Sequence, residues 1–298
     1  MCGNVLEAIE DRQDFINPDF ARNQNIQGND GDDVQNGGFG DDTISGGAGN
    51  DTQRGGAGND EMKGGRGDDN MSGQAGNDDM NGGAGNDQMN GGRGNDEMRG
   101  GRGNDDMGGG SGDDVMLGGS GNDQMRGGQG NDDMNGGRGE DDMKGGFGDD
   151  VLNGGSGNDT LNGGQGDDVL NGGKGDDEII LGSGIDVVTG GEGADKFVGL
   201  DGASSGATIT DFNIEEGDTF DLSGIQGLSS FDDLEIEEND AGNAVVTFGE
   251  NSIELQGIDA DSLDADAFTF AVEPAAVAEA QVLPDGWQSP FGDQNMCY

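Results

Sequence analysis

"GGRGNDEMRGGRGNDDMG", residues 91–108, holds two near-copies of one nine-residue phrase. Each copy opens on two glycines, sets a third glycine at position 4 and an aspartate at position 6, and carries one apolar residue, Met98 or Met107, at position 8. The phrase extends far beyond this stretch. From Gly28 to Val198 the chain divides into nineteen nonapeptides without an insertion or a deletion. Position 4 is Gly and position 6 is Asp in every copy. Position 5 is Asn, Asp or Glu in seventeen copies and departs only at Ile185 and Ala194. Position 8 is apolar in seventeen, the exceptions being Gln35 and Gln53. A short fixed period of this kind marks a solenoid, in which each unit buries its apolar face only against its neighbours.

Each position has a physical task. Glycines at positions 1, 2 and 4 permit positive φ and close backbone approach in a tight turn. Positions 7 to 9 are too few for a helical turn but suffice for a short strand, where position 8 faces one way and positions 7 and 9 the other. Positions 7 and 9 carry mainly Glu, Asp, Thr, Lys, Arg, Gln and Asn, so they face water and position 8 faces inward. Turn, strand, turn, strand gives a two-sided coil that closes every eighteen residues, with position 8 in two facing stacks. Nineteen repeats make about 9.5 turns, a roll of roughly 45 Å at ~4.8 Å per strand.

Composition narrows the partners. The chain has 298 residues, 63 acids against 13 bases, and a net charge of −50. Binding nucleic acid requires a basic face that displaces counterions, so nucleic acid is excluded and cations are the natural partners. No histidine is present, which removes imidazole bases, Ser-His-Asp and Cys-His arrangements, and histidine zinc sites. Cys2 and Cys297 stand at the two ends and read as free thiols rather than a clasp or an intermolecular bond. No stretch approaches the roughly 20 apolar residues of a transmembrane helix. Residues 1–27 lack the basic and apolar regions of a Sec signal peptide, and Val5, Leu6 and Ile9 fall at helical spacing, as in a short amphipathic cap.

The repeats resemble those of the RTX (hemolysin-type) proteins, whose glycine- and aspartate-rich nonapeptides bind calcium. The resemblance is close at residues 37–54, "GGFGDDTISGGAGNDTQR", and 154–162, "GGSGNDTLN", and covers 28–198. It implies an all-β fold, a right-handed parallel β-roll with two repeats per turn. It also implies many Ca²⁺ ions, each held between a turn and the next on the same side. The position-6 ligands would be Asp33, Asp42, Asp51, Asp60, Asp69, Asp78, Asp87, Asp96, Asp105, Asp114, Asp123, Asp132, Asp141, Asp150, Asp159, Asp168, Asp177, Asp186 and Asp195. Stacked in this way, nineteen repeats allow about seventeen sandwiched sites.

The energetics agree with a metal requirement. One apolar side chain per nine ordered residues does not offset the cost of ordering the backbone, and rows of like-charged carboxylates add repulsion. Calcium accepts six to eight oxygens, carboxylate and carbonyl alike, in flexible geometry. The chain is therefore expected to be disordered without calcium, with binding and folding a single event. Extracellular calcium modules bind at about 10⁻⁴–10⁻³ M, so folding is expected outside the cell.

After Val198 the period breaks. "ATITDFNIEEGDTFDLSGI" (207–225) and "NAVVTFGENSIELQGID" (243–259) alternate as strands do, with a hairpin at Gly249-Glu250-Asn251. Phenylalanines concentrate here, which suits a cap over the open end of a solenoid. The expected organisation is an N-terminal cap over 1–27, the roll over 28–198, a C-terminal β cap and secretion region over 199–272, and a tail over 273–298. The 199–272 segment also resembles the end of RTX proteins exported by type I secretion, which implies an exporter as partner; residues 199–298 contain no Lys or Arg. The tail departs from that pattern.

No catalytic constellation emerges. "GASSG" (202–206) matches G-x-S-x-G, but Ser204 has no histidine base. Paired acids repeated nineteen times describe a lattice, whereas an acid–base site needs one unequal pair. Only 27 residues precede the array, too few for a protease, lipase or pore-forming module. The ten methionines from Met62 to Met143 read as gap fillers at position 8 rather than a thioether site for a soft metal. Outward positions lack the regular Thr array of an ice-binding face. The expected function is a secreted, non-catalytic calcium-binding β-roll. The alternatives are a calcium-stiffened adhesin or surface-layer component with a cell-surface or matrix partner, or the tail of an RTX toxin or enzyme.

Overall fold

The computed structural model describes residues 15–16, 23–199 and 206–271. The helical reading at Val5, Leu6 and Ile9, the two cysteines, Ser204 and the 273–298 tail lie outside the described residues.

The chain winds into two parallel sheets. One has 13 strands and the other 14, and successive strands alternate between them through the array. Glu97–Arg102 pairs with Asp79–Ala84 on one side and Val115–Ser120 on the other. The next strand, Asp106–Ser111, pairs in the other sheet with Gln88–Arg93 and Gln124–Gln129. Register is eighteen residues throughout the repeats, so Met98 lies beside Met80 and Met116 while Met107 lies beside Met89 and Met125. The fold is the parallel β-roll expected from the nine-residue period.

The strands are longer than expected. Each typically spans six residues, positions 7 to 9 of one repeat and 1 to 3 of the next, as in Val151–Ser156. The glycine pair belongs to the strand, because its backbone continues the ladder and its missing side chains leave the sheets free to close. Position 8 and position 1 both point inward, which gives the recurring alternation of buried residues. Only positions 2 and 4 take positive φ, for example Gly101 at 111° and Gly103 at 125°. Position 1 is glycine for space.

The coil continues past the last nonapeptide. Gly206–Ile209 stacks on residues 185–188, and Thr219–Asp221 stacks on Lys196–Val198. Asn251–Leu255 and Phe268–Thr269 add one further strand to each sheet in the same parallel sense. The inward columns run on with them, Val188 to Ile209 to Leu255 and Phe197 to Phe220 to Phe268. Phe197 packs on Phe212 and Phe220 with ring centroids 5.8 and 6.1 Å apart. Glu235–Glu238 and Ala244–Phe248 then close one sheet in antiparallel pairing, and the hairpin turns at Gly249 and Glu250. Among the described residues no helix is long and apolar enough to cross a membrane.

Candidate metal centres

From Asp42 onward, every nonapeptide turn presents its position-6 carboxylate in one way. Asp105 Oδ1 accepts the backbone N–H of Asp87 at 2.8 Å, and the Asp105 N–H donates to Asp123 Oδ1 at 2.8 Å. This ladder is continuous from Asp33, whose N–H donates to Asp51, to Asp177, whose N–H donates to Asp195. Position 5 forms a second ladder of opposite sense. The Asn104 N–H donates to Asn86 Oδ1 at 2.8 Å, and the Asn122 N–H donates to Asn104 Oδ1 at 2.9 Å. Position-5 side chains thus serve the following turn, and position-6 side chains serve the preceding one.

The two ladders explain the sequence departures. Ile185 and Ala194 still donate their N–H groups, to Asp167 at 2.8 Å and Asp176 at 2.9 Å. No nonapeptide turn follows to need an acceptor from them, so a polar side chain is dispensable there. Glu140 is the single glutamate at position 5. Its N–H donates to Asn122 at 3.1 Å, but its longer side chain makes no bond to the next turn at Asn158.

One carboxylate oxygen per turn is left over. Oδ2 of all eighteen aspartates from Asp42 to Asp195 is buried with no hydrogen-bond partner. Each of these residues is at most 2% exposed. A buried ionised oxygen without a partner is among the costliest features a fold can carry. Burial raises the carboxyl of Asp87 to about 7, partly offset by the Asp69 N–H and reinforced by the neighbouring Asp105 and Asp69. Asp114, Asp150 and Asp168 are raised to about 7 for the same reason, and Asp60 and Asp96 to about 6.

The surroundings of these oxygens fit a hard cation. A Cβ built on Gly100 would lie 2.2 Å from Asp105 Oδ2 and 2.7 Å from the carbonyl oxygen of Gly118 in the next turn. The missing side chain is therefore a cradle flanked by a carboxylate oxygen and a stacked backbone carbonyl. At positions 2 and 4 a Cβ built on Gly101 or Gly103 would likewise run into a carbonyl oxygen of the preceding turn, that of Gly83 or Gly85. Among the described residues no three His, Cys, Asp or Glu side chains converge on one point. The donor set is one carboxylate with backbone carbonyls, all oxygen, which suits calcium and disfavours thiophilic or imidazole-seeking metals.

Two ends of the row differ. Asp33 Oδ2 accepts the Asn29 N–H at 2.7 Å, so the first repeat satisfies its own carboxylate. Beyond the array, Asp218 takes the next slot after Asp195, an extension that the nine-residue count does not reveal. Its Oδ1 accepts the Asp195 N–H at 2.9 Å, and its Oδ2 accepts the Asn213 N–H at 2.8 Å. Asp211 accepts the N–H groups of Gly190 and Gly191, both at 2.9 Å. The signal was present in "GDTF" (217–220), which repeats the Asp-x-apolar order of positions 6 to 8 out of phase with the array.

Comparison with known proteins places the array. The model of the RTX calcium-binding nonapeptide repeat (4 copies) matches seven abutting or overlapping segments that together run from residue 20 to 204. No curated protein matches the chain. Among solved structures, the chain is similar to the solution structure of the AlgE6R3 subunit from the Azotobacter vinelandii mannuronan C5-epimerase. Identity is 23%, covering 62% of this chain and 93% of that one, with a TM-score of 0.27. It is also similar to the crystal structure of the extracellular lipase LipA from Serratia marcescens, at 18% identity, 74% and 40% coverage, and a TM-score of 0.30.

Proposed function

Since the chain belongs to the family of RTX calcium-binding nonapeptide repeat proteins, we propose that it is a secreted, non-catalytic β-roll that folds when it meets calcium outside the cell. The observation that carries this reading is the row of eighteen buried Oδ2 atoms without a partner. Calcium, when bound, supplies the positive charge these oxygens lack and accepts backbone carbonyls beside them. The residues that would hold it are the aspartates from Asp42 to Asp195 together with carbonyls of the stacked glycine turns. Asp33 would be a weaker ligand, because Asn29 already occupies its Oδ2.

The chain's own residues do the remaining work. From Asp42 onward, each position-6 Oδ1 orients its carboxylate by accepting an N–H one coil earlier, so that Oδ2 is held in the cradle. The position-1 glycine keeps the cradle open, and position 8 excludes water from the inner face. Without a cation, like-charged buried carboxylates oppose closure, which supports disorder before export and folding after it. Export by a type I exporter is the route this reading implies.

A calcium titration followed by circular dichroism and solution mass tests the proposal. The expected result is a disordered chain that gains strand signal cooperatively at about 10⁻⁴–10⁻³ M calcium. A chain that stays disordered at ~10 mM calcium, or is fully folded in chelator at neutral pH, would overturn it.

A further inference from the structure

We propose that the ten methionines from Met62 to Met143 are a calcium-gated site of S-oxidation, which peroxide reaches only in the open chain and which then blocks closure of that section. The inference rests on the calcium-dependent folding proposed above.

The placement of the sulfurs carries it. Met62, Met80, Met98, Met116 and Met134 are in register in one sheet, and Met71, Met89, Met107, Met125 and Met143 in the other. All ten are 0–2% exposed. The same column is Leu152, Leu161, Leu170, Ile179, Val188 and Phe197 further on, residues that peroxide leaves alone. The roll therefore contains one oxidisable section followed by one inert section, divided between Met143 and Leu152.

The chemistry balances without a further reactant. The thioether sulfur takes one oxygen atom from hydrogen peroxide, is oxidised to the sulfoxide, and leaves water as the reduced product. The sulfoxide is polar and strongly accepting. Its inward slot offers no donor, because position 1 is glycine in every strand of this section and strand N–H groups are paired along the sheets. The only polar side chains in the position-8 columns are Gln35 and Gln53. Their amides already donate to the carbonyls of Ser45 and Lys63 and, from Gln53 to Gln35, to each other. A sulfoxide at each of ten stacked slots would therefore sit buried and unsatisfied.

Solenoid units depend on their nearest neighbours, so a block over residues 62–143 separates the N-terminal repeats from the capped C-terminal section. Oxidation in the open state is expected to leave a shortened roll, and oxidation of the closed roll to leave it intact.

The test uses the full chain. Treat it with hydrogen peroxide in chelator or in saturating calcium, remove the peroxide, count added oxygens by peptide mass spectrometry, then add calcium and map hydrogen exchange. In chelator all ten array methionines should be oxidised, and calcium should then protect only residues 152–271. In calcium the ten should stay reduced and the whole array protected. Methionine sulfoxide reductase with a thiol reductant should restore protection over 62–143. A variant carrying Met→Leu at all ten positions keeps Cys2, Cys297, Met1 and Met296, and should close fully after the same treatment. Equal oxidation with and without calcium, or normal protection over 62–143 in the oxidised chain, overturns the inference. A chain that circular dichroism finds folded in chelator, before any peroxide, overturns the calcium reading and the gating together. A chain disordered in chelator that closes when oxidised overturns the gating alone.

Discussion

Asp195 and Asp218 occupy successive slots of one column, yet they belong to regions with different polar economies. Each offers Oδ1 to the N–H of the turn before it. Asp218, in the cap, also receives the Asn213 N–H on Oδ2, whereas Oδ2 of Asp195, in the roll, has no partner. Asp211 repeats the lesson by taking two glycine N–H groups from the last repeat. The apolar sides differ in the same sense. The roll is one inward side chain thick per strand, while the cap gathers Phe197, Phe212, Phe220, Phe231, Phe268 and Phe270 into ring contacts. In the cap both oxygens of these carboxylates are satisfied by backbone N–H groups, from the cap itself and from the last repeat. The roll leaves one oxygen per turn to be satisfied from outside the chain.

The comparison is exposed most strongly by pH. The row carboxylates have folded-state values raised, mainly by burial, from 3.8 to about 6 for Asp96 and about 7 for Asp87. In chelator, stability from this row is fully present below the unfolded value and is lost as pH rises through about 6–7. Asp221 in the cap has the opposite sign. Partial burial is outweighed by hydrogen bonds from Ser223 and Lys196, and its carboxyl lies below the ordinary value. Its contribution is present above the unfolded value and lost as pH falls through the lowered one. Acid is thus expected to induce strand signal in the calcium-free chain, to raise the calcium concentration needed for closure, and to weaken the cap. Dichroism across a pH series in chelator and in calcium checks all three, and a calcium-free chain equally disordered at pH 4 and pH 8 would break the distinction.

The next largest effect should come from filling one cradle. Gly100→Ala places a Cβ against Asp105 Oδ2 and the Gly118 carbonyl, at 2.2 and 2.7 Å. Strain of this kind costs about 1–3 kcal/mol, and the carboxylate is displaced as well. Gly108→Ala is the control, because its Cβ would meet nothing nearer than the Asn90 side-chain amide at 3.5 Å. Calcium midpoints for the two variants should separate, the first raised and the second unchanged.

Paired aspartate variants sharpen the contrast directly. Asp218→Ala removes the acceptor of two backbone N–H groups, a loss of about 1–3 kcal/mol for each buried group left unpaired. Asp114→Ala removes one N–H acceptor and one of the proposed cation ligands. Isothermal calorimetry should find fewer bound calcium ions in Asp114→Ala and the same number in Asp218→Ala. A loss of calcium stoichiometry in both would show that the cap is not self-sufficient.

The smallest effect is local. Gln74 holds position 2 of its repeat at φ 82°, the only non-glycine with positive φ among the described residues. Gln74→Gly should stabilise the calcium-loaded roll by about 1 kcal/mol, less the extra disorder glycine gives the open chain. Thermal melts in saturating calcium would show it, and a lower melting temperature would contradict the strain.

Much of this was legible in the residue order. The nine-residue period, the inward position 8 and the two alternating sides follow from strand geometry once Gly28 to Val198 divides evenly. The hairpin at Gly249 follows from alternation interrupted by turn residues. The six-residue strands were less legible, because a glycine pair signals a turn locally and joins the ladder only when a parallel neighbour lies alongside. Asp218 was hidden because irregular loops displace it from the period: it follows Asp195 by twenty-three residues in sequence but by one slot in space.

By itself, then, the order of residues determined that this chain coils with two repeats per turn and must neutralise a row of carboxylates. A period that divides without remainder leaves each residue only one kind of neighbour. The tertiary structure alone decided which carboxylate oxygen is bonded and which is left over. It also decided that the columns continue through the cap. Both depend on hydrogen bonds between residues eighteen or more positions apart, which exist only once the turns are stacked.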